Sequence, residues 1–491
     1  MRFASFAWII ATLPLSPAWA ASCENLRALS LPHATITVAQ DVGAGQFTSP
    51  EPGRGRGPDP FKDLPAFCRV TVTAAPSNDS DIKIEVWLPA SGWNGKFFSA
   101  GGGGGASAAI QGSLNLPGLA GAIRKGYATA TTDGGHTGAT LSFAIDHPER
   151  VIDFGNRAVH EMTVDAKALI AAFYGNGPQL SYWNACAASG RSGMMEAQRY
   201  PADYDGIVVS APAANWAHLQ TWSLSMYEAT HKDEANYIPP AKYPLIHKAA
   251  VDQCDALDGV KDGLIENPRR CKFDPSVLEC KGSETAACLT KGQVQAAKVI
   301  YSNLVNPRTK SEIFAGLEPG SELGWGALAD GPEPSLYVRE TFKYLVFKDP
   351  QWDYKTHPVN YDTDTMRAEQ GAEAVTANNP DLRPFFARGG KMILYHGWND
   401  PLIAPGDSVS YYKRVSDTVG TANTQRSMRL YMVPGMNHCR GGEGPDDFDM
   451  QPVMEQWLEG QKAPTSVVAS KISDGKVVHA SSLPISSDGG V

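Results

Sequence analysis

The sequence predicts an α/β protein, a largely parallel sheet flanked by helices and interrupted by one long insertion. Three observations carry that reading. Residues 180–200, LSYWNACAASGRSGMMEAQRY, pass from an alternating, aromatic-rich strand pattern through a cluster of tiny residues into a helical pattern that stops at Tyr200-Pro201. Two later apolar strand patterns, KMILYHGWNDPLIAP and SMRLYMVPGMNHCRGG, each run into a polar loop. Between residues 217 and 388 the sheet pattern lapses into mixed helical signals, prolines and four cysteines, the composition of a cap domain inserted over strand ends.

Residues 1–20 read as a secretory signal, with Arg2, an apolar run to Leu15 and Ala18-Trp19-Ala20 as the cleavage motif. The expected location is therefore secreted or periplasmic. The apolar run is too short to span a bilayer, so no membrane anchor is expected. Losing Arg2 takes the net charge from −9 to −10. So acidic a chain argues against nucleic acid as a partner.

The first part of the core, residues 21–216, opens with ATITVAQDV, FCRVTVTAA and DIKIEVWLPA, the last alternating Ile82, Ile84, Val86 and Leu88. These fit antiparallel strands at one edge of the sheet. A buried strand over 96–100 then runs into five glycines. Gly101, Gly102 and Gly103 can fold back with N–H groups turned toward a ligand oxygen, although a plain surface loop reads the same way. After the strand YATATTD, residues 157–174 form an amphipathic helix with Val159, Met162, Ala166, Leu169 and Ile170 on its apolar face. His160 on that helix is read as a packing or hydrogen-bonding residue.

The strand, turn and helix of 180–200 match the nucleophile elbow of an α/β-hydrolase, which needs small residues two before and two after the nucleophile. Centring the turn on position 187 puts Ala185 and Ser189 at the flanks; centring it on Ser189 puts Arg191 there. Position 187 is the seat, and it holds alanine. The N–H of Ala188 is the second oxyanion donor of such a site. In the second part of the core, residues 389–491, Asp400 and His438 each follow a strand. Seat, acid and histidine thus come in the α/β-hydrolase order, in which the acid orients the histidine and the histidine moves the nucleophile's proton. Trp398 and Ile403, flanking Asp400, are candidates for contact with a substrate.

Eight cysteines in an exported chain point to disulfides. Cys254 with Cys271 and Cys280 with Cys288 are spaced to staple local loops, each worth about 2–4 kcal/mol, and Cys23 with Cys68 can tie the N-terminus to the first strands. Cys186 and Cys439 remain, and on their own they also read as free structural cysteines. In the cap, Asp255, Asp258 and Asp262, with the carbonyls of Val260 and Leu264, can converge on a hard cation such as calcium, though Asp-Gly pairs are also ordinary turn formers. Trp325 and Arg339 belong to an aromatic stretch that either packs on the cap core or roofs a substrate cleft.

Taken together, CAASGRSGMMEAQRYPADYDGI, GWNGKF, HGWNDPLIAP, MNHCRGGEGPDDFD and the Asp255–Asp262 loop resemble the tannase and feruloyl esterase family, which includes mono(hydroxyethyl)terephthalate hydrolase, over nearly all of the mature chain. The resemblance implies an α/β-hydrolase with a large cap, and a carboxylic ester hydrolase (EC 3.1.1 type) acting on feruloyl, galloyl or terephthaloyl esters. It further implies a disulfide between Cys186 and Cys439, structural Ca2+ on Asp255, Asp258, Val260, Asp262 and Leu264, and a triad at 187, Asp400 and His438. No organic cofactor is implied, and oligomeric state stays open.

Two departures stand out. Where the family reads Cys-Ser-x-Gly-Gly-Arg, this chain reads Cys186-Ala187-Ala188-Ser189-Gly190-Arg191. Alanine has neither a nucleophile nor a proton to give. The first reading is therefore an inactivated form of an active serine esterase. A naturally silent, calcium-dependent binding protein for aromatic esters is second, and takeover of the nucleophile's role by Ser189 is third.

Overall fold

A computed structural model describes residues 22–50, 59–99, 101, 113–329 and 331–486. The signal segment and Gly102 and Gly103 lie outside the described residues. One nine-stranded sheet organises the chain in the order β1-β2-β3-β5-β4-β6-β7-β10-β11. Its strands are β1 (Ala34–Val42), β2 (Phe67–Ala74), β3 (Ile82–Pro89), β4 (Lys96–Ser99), β5 (Ala128–Thr132), β6 (Leu180–Cys186), β7 (Gly206–Ser210), β10 (Lys391–Gly397) and β11 (Met428–Val433). The pairs from β1 through β3 to β5 are antiparallel, and all those from β5 through β4 to β11 are parallel. The parallel strands β7 and β11 are buried along their whole length, as expected of strands covered on both faces.

Between β7 and β10 the large sheet gains no strand. That stretch holds helices and a small separate hairpin, β8 (Leu304–Val305) with β9 (Glu312–Phe314). Its apolar side chains form their own cluster, with Trp222, Trp325, Phe342 and Trp352 at the centre. The cluster continues into the sheet region through Ala188, Ala213, Ile403 and Ala404, so insertion and strand ends share one apolar contact. The C-terminus closes with β12 (Ser466–Ser473) paired to β13 (Lys476–Pro484), a hairpin with little burial along its exposed strand.

The helix Ala187–Arg199 lies against β6 and β7 because its inner face is made of very small residues. A Cβ on Gly193 would stand 2.4 Å from Trp183 Cδ1, and the Trp183 indole N–H donates back to the Ser189 carbonyl at 3.1 Å. Arg191, on the same helix, is fully buried without a carboxylate. Its guanidinium donates to the carbonyls of Gly155 and Val375 at 2.8 and 3.2 Å and stacks over Phe154 and Trp216, tying helix to insertion. Burial pushes its pKa down to about 10.

Gly193→Ala is expected to force Trp183 off its packing and to cost about 1–3 kcal/mol, read as a lower urea midpoint at unchanged slope.

Candidate active site

Ala187 stands where β6 ends and the helix begins, with φ of +56°, a left-handed backbone that a non-glycine residue adopts only when its surroundings impose it. The surroundings are visible. Cys186 is bonded to Cys439, and the Ala213 N–H donates to the Ala187 carbonyl at 3.1 Å. Ala188 is the second residue of the helix, so its N–H has no intrahelical acceptor and is available to an oxyanion. Gly101, just beyond β4, is held close to the same strand: a Cβ there would meet Trp183 Cζ2 at 2.5 Å, which explains glycine at that position.

The Cys186–Cys439 disulfide places the loop after β11 beside the elbow, and a His438 ring nitrogen lies within 4.8 Å of both sulfurs. His438 Nδ1 is 2.7 Å from Asp400 Oδ2. The Asp400 side chain is 0 % exposed, and it is fully provided with donors: Oδ1 accepts from the N–H groups of Leu402 (2.8 Å) and Ile403 (3.1 Å), and Oδ2 also faces His396 Nε2 at 2.9 Å. Burial alone would raise the carboxyl pKa; the two imidazoles reverse that and hold it far below the ordinary range. Burial alone would likewise lower His438, and the Asp400 carboxylate holds it above 6.5. His438, backed by an ionised acid, thus lies beside the disulfide that adjoins Ala187.

The other candidates are distributed differently. Trp325 is 1 % exposed inside the cap cluster, edge-on to Tyr243 and Tyr301, with its indole N–H on Ser321 Oγ, so of the two roles its sequence position allows the structure shows packing in the cap. Arg339 is engaged through Nη1 with Glu333 at 2.9 Å and through Nε with the Pro334 carbonyl. Trp398 packs under the Arg269 guanidinium and borders a cavity of about 200 Å³ shared with Leu257, Asp258, Glu266 and Pro484. Ile403 acts through its backbone, which donates to Asp400 and accepts from His396. Ser189 is buried in the helix and offers no accessible hydroxyl.

In the cap loop, Asp255 Oδ1 accepts from the N–H groups of Asp262 and Gly263, Asp258 Oδ1 from Val260, and Asp262 Oδ1 from Leu264. Among the described residues, two groups gather three metal-type ligand atoms, Cys186 with His438 and Cys439, and His160 with Glu196 and Asp203. The sulfurs of the first are consumed in the disulfide. In the second, His160 is hydrogen-bonded to Asp203 at 2.6 Å and stacked on Tyr200. Neither group lies in the cap. The other three disulfides join Cys23–Cys68, Cys254–Cys271 and Cys280–Cys288.

Sequence reasoning missed two histidines. His396, four residues before Asp400 in HGWND, carried a signal in its position at a strand end. His247 carried none: this cap residue bridges Glu322 at 2.9 Å and Glu443 at 2.7 Å, and so fastens the cap to the loop that follows His438. No helix of the described residues is long and apolar enough to cross a membrane.

With the geometry in place, comparison with known proteins is informative. The family described as tannase and feruloyl esterase matches residues 68–485. An uncharacterized esterase of Xanthomonas campestris pv. campestris is 37% identical over 92% of this chain and 85% of its own length. A probable feruloyl esterase B-2 of Aspergillus terreus is 31% identical over 95% of this chain and 90% of its own. The crystal structure of feruloyl esterase B from Aspergillus oryzae superposes with a TM-score of 0.85 at 30% identity, covering 95% of both chains. Tannin acyl hydrolase from Aspergillus niger shares the fold, with a TM-score of 0.73 at 23% identity over 92% of this chain and 88% of that one.

The His438 ring is expected to titrate above 6.5 by NMR, and Asp400→Asn is expected to bring it below 6.5, because burial remains while the anion is gone. The sign for stability follows. The His438 contribution is complete below its unfolded pKa and fades as pH rises through the folded value. That of Asp400 is complete above about 3.9 and fades as pH falls.

Proposed function

Because the chain belongs to the tannase and feruloyl esterase family, and so to the carboxylic ester hydrolases, we propose that it is the alanine-bearing form of a serine esterase for aromatic acid esters. The acyl group is feruloyl, galloyl or terephthaloyl. The observation that carries this reading is the left-handed backbone at Ala187, tied through Cys186–Cys439 to the His438–Asp400 pair.

With serine at 187, the hydroxyl oxygen attacks the ester carbonyl while the His438 nitrogen remote from Asp400 takes its proton. The oxygen anion of the tetrahedral intermediate is received by the Ala188 N–H and by the backbone beginning at Gly101. Collapse expels the alcohol, which takes the proton from His438. Water then attacks the acyl-enzyme by the same route, releasing the aromatic acid and restoring the serine. Asp400 keeps its charge throughout and stabilises the imidazolium. Without an oxygen at 187 the first bond cannot form, so the chain as written holds esters without turning them over by this mechanism.

Calcium in the cap is part of the proposal. The donor set of Asp255, Asp258 and Asp262 with the Val260 and Leu264 carbonyls is all oxygen, which suits a hard cation. Glu266 stands beside this set, its pKa raised by burial first and then by the Asp258 and Asp262 carboxylates. A cation there offsets that charge and fastens the loop; it takes no part in bond breaking. Export to an oxidising compartment is supported by the four disulfides.

Ala187→Ser is expected to raise kcat on methyl ferulate, methyl gallate or mono(hydroxyethyl)terephthalate by about 10⁴-fold or more over the parent chain, the preferred ester naming the acyl group. Equal rates in both chains would overturn the seat at 187. Binding without turnover in both would favour a binding protein. Calcium at a hundredfold excess over its Kd is expected to stabilise the fold by about 2.7 kcal/mol, and Asp255→Asn with Asp262→Asn to abolish that gain in thermal melts.

A further inference from the structure

His396 sits at the end of β10, wholly buried, with every polar atom engaged. Nε2 faces two acceptors, Asp400 Oδ2 at 2.9 Å and the Ile403 carbonyl at 3.1 Å, so it must carry a hydrogen. Nδ1 faces the Ser408 hydroxyl at 2.8 Å, which can donate to it from the helix Pro405–Val419. One oxygen of Asp400 is therefore shared between two imidazoles, His438 on the open side and His396 on the closed side.

We propose that His396 is a positioning residue that sets the basicity of His438: by donating to the shared Oδ2 it fixes the carboxylate toward His438 and draws off part of its charge. The effect on catalysis rests on the esterase reading above; the effect on His438 does not. A carboxylate oxygen with one donor removed bears more charge toward the donor that remains, and so holds the His438 proton more tightly. A tighter hold keeps His438 protonated at a pH where it must act as a base. The other charged groups that act on this region come from the neighbouring helix and beyond it: buried Asp407 interacts electrostatically with His396, Arg414, His218 and Glu312. None of these reaches Oδ2 in hydrogen-bond geometry.

The test uses the chain as it stands. NMR titration of His438 is expected to show the midpoint rising by about one pH unit in His396→Leu, with His396→Gln, which keeps an N–H donor, returning most of the way. Ser408→Ala, which frees Nδ1, is expected to move the midpoint upward by less. In the Ala187→Ser background, His396→Leu is expected to lower kcat about 10–100-fold, to shift the acid limb of the rate profile upward and to leave KM within about twofold. An unmoved His438 midpoint in folded His396→Leu overturns the proposal, as does an equal effect of the Leu and Gln variants. Should His396→Leu not fold, an unmoved midpoint in Ser408→Ala overturns it alone. If Ala187→Ser is itself inactive, the esterase reading fails while the titration still decides the role of His396.

Discussion

An ionised carboxylate with no access to water is the constraint around which this site is arranged. Leaving such a group unpaired costs several kcal/mol, so a chain that buries Asp400 must deliver donors to both oxygens. Two come from the turn that follows β10, as the N–H groups of Leu402 and Ile403. The other two are imidazoles from β10 itself and from the loop after β11. That demand explains why β10 and β11 run parallel and in register to their ends: the pairing of His396 with Met432 and of Gly397 with Val433 brings the two loops out side by side. Gly397 is part of the same solution, since a Cβ there would meet the Met436 carbonyl at 2.1 Å.

The elbow is the second half of the arrangement, and its energetics differ. Nothing is buried at Ala187 that water would stabilise; the cost is in the backbone, about 1–3 kcal/mol for a residue held in a sparsely populated region. A covalent link to Cys439 and a hydrogen bond from Ala213 hold it there. Because Cys439 follows His438, one disulfide ties the neighbourhood of Ala187 to that of His438 across 253 residues of chain. The cap joins this unit from the other side, through His247 on Glu443 and through Arg191 on the Val375 carbonyl. Ala187, His438, Asp400 and the cap are thus each tied to the rest of this unit.

Much of this is legible in the sequence where the physics is local. A strand, a run of tiny residues and a helix can be read at 180–200 because backbone crowding restricts residue size over a few positions. The antiparallel edge is legible in the alternation of Ile82, Ile84, Val86 and Leu88, which the structure pairs in β2, β3 and β5. Non-local facts are not legible. The placing of β4 between β5 and β6 and the link of His247 to Glu443 depend on which distant segments meet. Trp325 illustrates a different limit: an aromatic side chain in a cap has the same pattern whether it packs inward or lines a cleft, and here Tyr243 and Tyr301 surround it. Arg191 shows the converse. Its bulk argues against centring the turn on Ser189, and in the structure it sits four residues past Ala187, held by three backbone carbonyls and two aromatic faces.

The alanine at 187 gains its meaning from what remains around it. A left-handed backbone at a residue with a Cβ costs folding energy, and a buried acid is tolerated only when donors meet both of its oxygens. Glycine at 187 would relieve the backbone, and an apolar pair in place of Asp400 and His396 would remove the need for four donors. None of this relaxation is present. On the proposed reading, an oxygen at 187 is the one atom on which the strained turn, the spacing set by the disulfide and the compensated charge all act. Around Ala187 the chain holds the disulfide to Cys439, the His438–Asp400 pair and the Ala188 N–H at the start of the helix.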